Sequence, residues 1–156
     1  DKQGLVSDLA DLIGSTEQTS WLIASSPRTP DSTEELVKQQ LAVLPRVNFV
    51  PFSETESGWL ENMYRSHGSV WITADSISMV YEALSAGCRV GVVPVRWRKK
   101  NNKFQRSLEY LLDNKMIVTN TLFLQGERQW LKPETLNEAD RCAREILRRW
   151  WPKNLP

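Results

Sequence analysis

Asp75, Ser76 and Ser78 stand where a short apolar run hands over to a helical pattern, and Glu82 follows four residues after Ser78. Backbone N–H groups at such a helix start, reinforced by the helix dipole, favour a phosphate, and small serines let it approach closely. Ser78 and Glu82 share one helix face, so a single ligand could touch both, and the Glu82 carboxylate can accept two hydrogen bonds from a vicinal diol. A capped helix with a solvated surface acid is the commoner use of the same residue types, because Asp and Ser side chains ordinarily cap free N–H groups.

A second constellation is Ser25-Ser26-Pro27-Arg28-Thr29-Pro30. A guanidinium on a proline-stiffened loop after a strand can grip a phosphate in fork geometry, although surface arginines are often only solvated. The basic run Arg96, Arg98, Lys99, Lys100 and Lys103, interleaved with Trp97 and Phe104, could hold an anionic substrate or make peripheral contact with a membrane surface. Runs of this size are usually solvated. The single histidine, His67, precedes Gly68 at a helix end, where a cationic side chain suits the dipole. With no second histidine and only Cys88 and Cys142, neither a zinc site nor a Cys–His nucleophile pair assembles. The sequence carries no GxGxxG and no GxxxxGKS, which counts against a dinucleotide oxidoreductase and a P-loop enzyme.

The elements that must hold these groups alternate. Residues 69–95 read as strand, helix and strand: Val70-Trp71-Ile72-Thr73 and Val90-Gly91-Val92-Val93 are continuous apolar runs, as in central parallel strands. Between them Ile77, Val80, Tyr81 and Leu84 recur at helical spacing over residues 76–86, and Gly87 stands where a helix end wants a left-handed residue. Upstream, a helix over residues 3–13 carries Leu5, Val6, Leu9, Leu12 and Ile13. A strand over 20–25, a helix over 33–44 stopped by Pro45, a strand over 48–52 and a short helix over 59–66 follow. Downstream, Phe104, Leu108, Leu111 and Leu112 mark a helix ending at Asn114, and residues 116–119 a strand; residues 121–131 fit a strand or a helical turn. A last helix starts at Pro133-Glu134, with Ala139, Cys142, Ala143, Ile146 and Leu147 as its apolar stripe.

Strands alternating with helices predict an α/β fold, a doubly wound parallel sheet with helices on both faces. Ligands of such sheets bind outside the carboxyl ends of the strands, which gathers residues 25–29, 52–57, 74–78 and 95–103 along one edge. The 156 residues suit one domain. A net charge of +1, from 20 basic and 19 acidic residues, counts against a nucleic-acid partner, and no apolar run is long enough for a membrane span. The two cysteines, without metal spacing or a signal peptide in view, fit a cytoplasmic setting. A sequence that opens on Asp1, with a helix that no strand precedes, is expected to be a fragment lacking its own first strand.

At SSPRTP (25–30) and TADSISMVYEALSAGCRVGV (73–92), with Lys103-Phe104 and a late Pro133–Glu138 segment, the chain resembles the mitochondrial-fission (elongated-mitochondria) family, whose members look like GT-B glycosyltransferases. The resemblance runs over nearly the whole chain in the same order. It implies a Rossmann-like half of a GT-B fold that takes a nucleotide sugar as donor substrate and needs no further cofactor or metal. By the same resemblance an amino-terminal partner domain would lie upstream and supply the acceptor side and the catalytic base. It also implies that Ser76 to Met79 lie by the donor pyrophosphate, that Glu82 binds the ribose, and that Ser25, Arg28 and Thr29 belong to the same substrate-binding edge as Asp75, Ser76, Ser78 and Met79. Two positions depart from the family pattern: Cys88-Arg89 after Gly87, and Pro27 where a second arginine is usual. The first alters a turn beside the pocket; the second removes a phosphate ligand.

Three functions follow as expectations: a metal-independent glycosyltransferase donor half, inactive as a fragment; a non-catalytic adaptor on an old glycosyltransferase fold; and, far behind, a nucleotide-sugar epimerase. The last wants a Tyr-x-x-x-Lys pair, whereas Tyr64, Tyr81 and Tyr110 are followed four later by Gly68, Ser85 and Asn114.

Overall fold

A computed structural model describes residues 2–96, 103–127 and 136–152. In chain order the elements are α1 (Lys2–Gly14), β1 (Trp21–Ala24), α2 (Asp31–Gln40), β2 (Val47–Val50), α3 (Trp59–Ser66), β3 (Ser69–Thr73), α4 (Ile77–Ser85), β4 (Arg89–Val93), α5 (Lys103–Asp113), β5 (Ile117–Thr119), α6 (Asn120–Leu124) and α7 (Glu138–Trp150). A short 3₁₀ turn, Phe52–Glu54, follows β2. Every strand pairing among the described residues is parallel, and helices supply the crossovers that parallel neighbours require. The fold is Rossmann-like α/β.

The expected single sheet is present as two pieces, β1-β2 and β3-β4-β5. Within them the register is regular: Trp21 pairs with Val47, Val70 with Val90, and Val90 with Ile117. β4 is the inner strand of its piece, and Val90, Val92 and Val93 are buried, which is why its sequence is apolar without alternation. α4 lays Val80, Ala83 and Leu84 against it with no exposed surface, and Tyr64, Leu108 and Leu111 complete that core. A second core joins Val6 and Ile13 of α1 to Val37, Leu41 and Val47. A third sets Leu12 against Val93, Val118 and Phe123. α1 thus packs on both pieces of sheet at once.

The end of α4 follows from Gly87. Its φ is 81°, the left-handed region, and the N–H groups of Gly87 and Cys88 donate to the carbonyls of Leu84 and Ala83, each at 3.0 Å. α2 ends earlier than its apolar pattern, at Gln40 rather than Leu44. Leu41 is nonetheless buried, so the spacing reported core contact beyond the regular helix. The ambiguous stretch after β5 begins as helix, with the Thr119 hydroxyl accepting from the Leu122 N–H.

α7 differs most from expectation. It begins at Glu138, where Asn137 Oδ1 accepts from the Asp140 N–H at 3.0 Å; the expected start at Pro133-Glu134 lies outside the described residues. Its expected apolar stripe is mostly uncovered: Cys142, Ala143 and Ile146 are exposed and Leu147 is half-buried. Helical periodicity shows that a helix has an apolar face, not that anything covers it. Ion pairs along the polar side support it instead: Arg144–Asp140 at 2.7 Å, Arg148–Glu145 at 2.9 Å and Arg149–Glu145 at 2.6 Å. Hydrogen bonds from Arg148 and then Arg149 hold the Glu145 carboxyl at about 2, below its ordinary 4.5. A depressed carboxylate stabilises the folded form above the unfolded pKa and ceases to do so as pH falls through the folded one. Far-ultraviolet circular dichroism should therefore show α7 losing a little helix between about pH 4.5 and about 2. Salt should shrink the change, because the pairs are exposed.

Candidate functional site

A cleft of about 540 Å³ opens where the two pieces of sheet meet. The loop after β1 contributes Ser26, Arg28, Thr29 and Pro30; the end of β3 contributes Thr73, Asp75 and Ser76; and Pro94, Val95 and Arg96 follow β4. α1 brings Lys2, Gly4, Leu5 and Asp8, and the first turn of α2 brings Ser32 and Thr33. The volume is that of an ordinary small-ligand site, and its place, outside the carboxyl ends of parallel strands, is where such sheets bind ligands. Three cationic side chains, Lys2, Arg28 and Arg96, face two acids, Asp8 and Asp75, so the lining favours an anion.

The β1 loop is built to present Arg28. Ser26 N–H donates to Thr29 Oγ1 at 2.9 Å, Thr29 N–H to the Ser26 carbonyl at 2.9 Å, and Arg28 N–H to Ser26 Oγ at 3.3 Å. Between Pro27 and Pro30 this turn has little freedom left, and it carries the guanidinium toward the other piece of sheet. There Arg28 Nη2 donates to Ser76 Oγ at a long 3.5 Å.

Ser76 occupies the cap position of α4, buried to 8% exposure, yet its side chain makes no capping hydrogen bond. The expected serine cap is therefore absent; its hydroxyl is turned to Arg28. The N–H groups of the first turn of α4 and a guanidinium border the same space, an arrangement suited to the oxygens of a phosphate or diphosphate.

The other residues singled out from the sequence divide. Arg28, Thr29, Asp75 and Ser76 line the cleft together. Ser25 does not; its Oγ accepts from Phe52 N–H at 2.8 Å and ties the end of β1 to the turn after β2. Ser78 and Glu82 share the exposed face of α4, outside the cleft lining, and Met79 presents its carbonyl to the Tyr64 hydroxyl at 3.5 Å. Burial, and then the charge of Glu82, push the Tyr64 phenol up. In the basic run, Arg96 lines the cleft and Lys103 lies over the Phe104 ring at 5.1 Å, while Trp97, Arg98, Lys99 and Lys100 lie outside the described residues.

Sequence reasoning missed Lys2 and Asp8. The signal was available: helices of a parallel α/β sheet start at the edge where strands end, so the first residues of α1 belong to the same edge as residues 74–78. Among the described residues no three His, Cys, Asp or Glu side chains gather to hold a metal, and no helix is long and apolar enough to cross a membrane.

A family model described as Mitochondrial fission ELM1 matches residues 2–150. No curated protein and no solved structure matches.

Proposed function

The chain belongs to the mitochondrial fission ELM1 family, and on that premise we propose that it is the donor-binding half of a GT-B type, glycosyltransferase-like protein, taking a nucleotide sugar at the cleft between its two pieces of sheet. The observation that carries this reading is the Arg28–Ser76 contact, which sets a guanidinium across the uncapped start of α4. A diphosphate there would meet two positive partners, the guanidinium charge and the partial positive charge of the helix start, at little reorganisation, the electrostatic help a leaving nucleoside diphosphate needs without a metal. From Ser76 to Glu82 the helix rises roughly 9 Å, six residues at 1.5 Å each, so a nucleoside laid along α4 would bring its ribose diol near the Glu82 carboxylate. The acceptor and the catalytic base would come from a partner domain of the same protein.

Calorimetric titration of the chain with uridine, guanosine and adenosine diphosphates tests this. One of the three should bind saturably, and Arg28→Ala should weaken it by about tenfold or more, about 1.4 kcal/mol. Glu82→Ala should weaken the diphosphate of the nucleoside but leave inorganic pyrophosphate unaffected, since that carboxylate is assigned to the ribose. Absence of saturable binding by all three would reject the donor reading in favour of the adaptor. The exposed Ile146, Trp150 and Trp151 of the α7 end favour that second reading, as a surface fit for a protein partner.

A further inference from the structure

Among the described residues β1 and β3 each pair along one edge. The N–H groups of Trp21 and Ser25 donate to Arg46 and Val50 beside β2, so Leu22 and Ala24 turn their backbone groups the other way. Likewise Ala74 N–H donates to Val93, and the Gly68 carbonyl accepts from Arg89, so Ser69 and Thr73 turn away from β4. The loops that follow β1, β3 and β4 line the cleft, whereas none that follows β2 or β5 does. β1 and β3 are thus the edge strands at which the two pieces face each other across the cleft.

α1 spans the join. Val6 and Ile13 pack in the core of the β1-β2 piece, and Leu12 packs against Val93 and Val118 of the other. Its first residues, Lys2 and Gly4, lie at the cleft, at the carboxyl ends of the strands. β1, β3 and β4 likewise end at that edge before the helices that follow them.

We propose that the space between β1 and β3 is a slot for one β-strand, filled by the segment of the same polypeptide that leads into α1. Because α1 starts at the cleft, a strand entering it by a short turn must run toward the cleft, parallel to both neighbours. It would take hydrogen bonds from Leu22 and Ala24 on one side and from Ser69 and Thr73 on the other, joining the two-stranded and three-stranded pieces into one sheet. Flanked on both edges and roofed by α1, it would be a continuous β-branched run ending in glycine. The slot goes beyond the nucleotide proposal, and its test needs no nucleotide.

The test fuses a designed segment, Val-Val-Ile-Val-Ile-Gly-Gly, to the amino terminus, with a control in which proline replaces the central valine and removes a donor. Amide hydrogen exchange should slow about tenfold or more at Leu22, Ala24, Ser69 and Thr73 in the first fusion, with a raised thermal midpoint, and much less in the proline control. Unchanged exchange at these amides, slowing at one of the two strands alone, or slowing only at β2 or β5 would each overturn the slot.

Discussion

Leu12→Ala is expected to lower the unfolding free energy by about 2–5 kcal/mol. Leu12 has no exposed surface and packs against Val93, Val118 and Phe123, on the piece of sheet that α1 does not reach through Val6 and Ile13. Truncation removes buried methyl groups and leaves a cavity that the rigid β4 and β5 ladder cannot collapse to fill. The loss should exceed that of Leu9→Ala, because Leu9 is only partly buried in the same region. Denaturant unfolding of both variants measures the difference. Equal and small losses would mean that α1 does not join the two pieces.

The second large effect runs the other way in volume. Gly91→Ala is expected to cost about 1–3 kcal/mol or more through overpacking. Gly91 pairs with Trp71 across β3 and β4, and a Cβ there would overlap the Trp71 indole. That ring cannot simply swing aside, because it meets Phe123 edge to face with ring centroids 5.2 Å apart. Either the indole leaves Phe123 or the register of β4 gives. Trp71→Leu in the same background should restore part of the loss, so that the double variant is more stable than the sum of the single changes requires. Strict additivity would show that the overlap is not the cause.

The sequence made the βαβ unit legible because three independent signals agree there: two apolar runs too continuous to alternate, Val80 and Leu84 at helical spacing, and Gly87 in the one conformation that favours glycine. α3 was equally legible, since Gly58, with φ 81°, precedes it and His67 is extended after it. Pairing was less so, for a run such as Trp21–Ala24 shows that a strand exists but not which neighbour its edges meet, so one expected sheet is found as two. Burial of α7 was not legible at all. Its stripe of Cys142, Ala143 and Ile146 has the period of a core face, and only tertiary contact decides whether such a face is covered.

The site was legible in its anchors and less so in its extent. Arg28, Thr29, Asp75 and Ser76 could be found because strand ends of parallel sheets share one edge. Ser25 opens that loop, but its hydroxyl holds Phe52 N–H, a long-range contact that no local pattern encodes. Glu82 and Ser78 were placed correctly on one helix face, but spacing along a helix does not say which way that face points.

Backbone amide chemical-shift mapping with a nucleoside diphosphate, read residue by residue on the 156-residue chain, addresses the donor cleft most directly. Saturable shifts centred on Ser26, Arg28, Thr29, Asp75 and Ser76, weakened in Arg28→Ala, are expected. Shifts confined to residues away from these loops, or none that saturate with any of the three diphosphates, would contradict a donor site at the meeting of the two pieces of sheet.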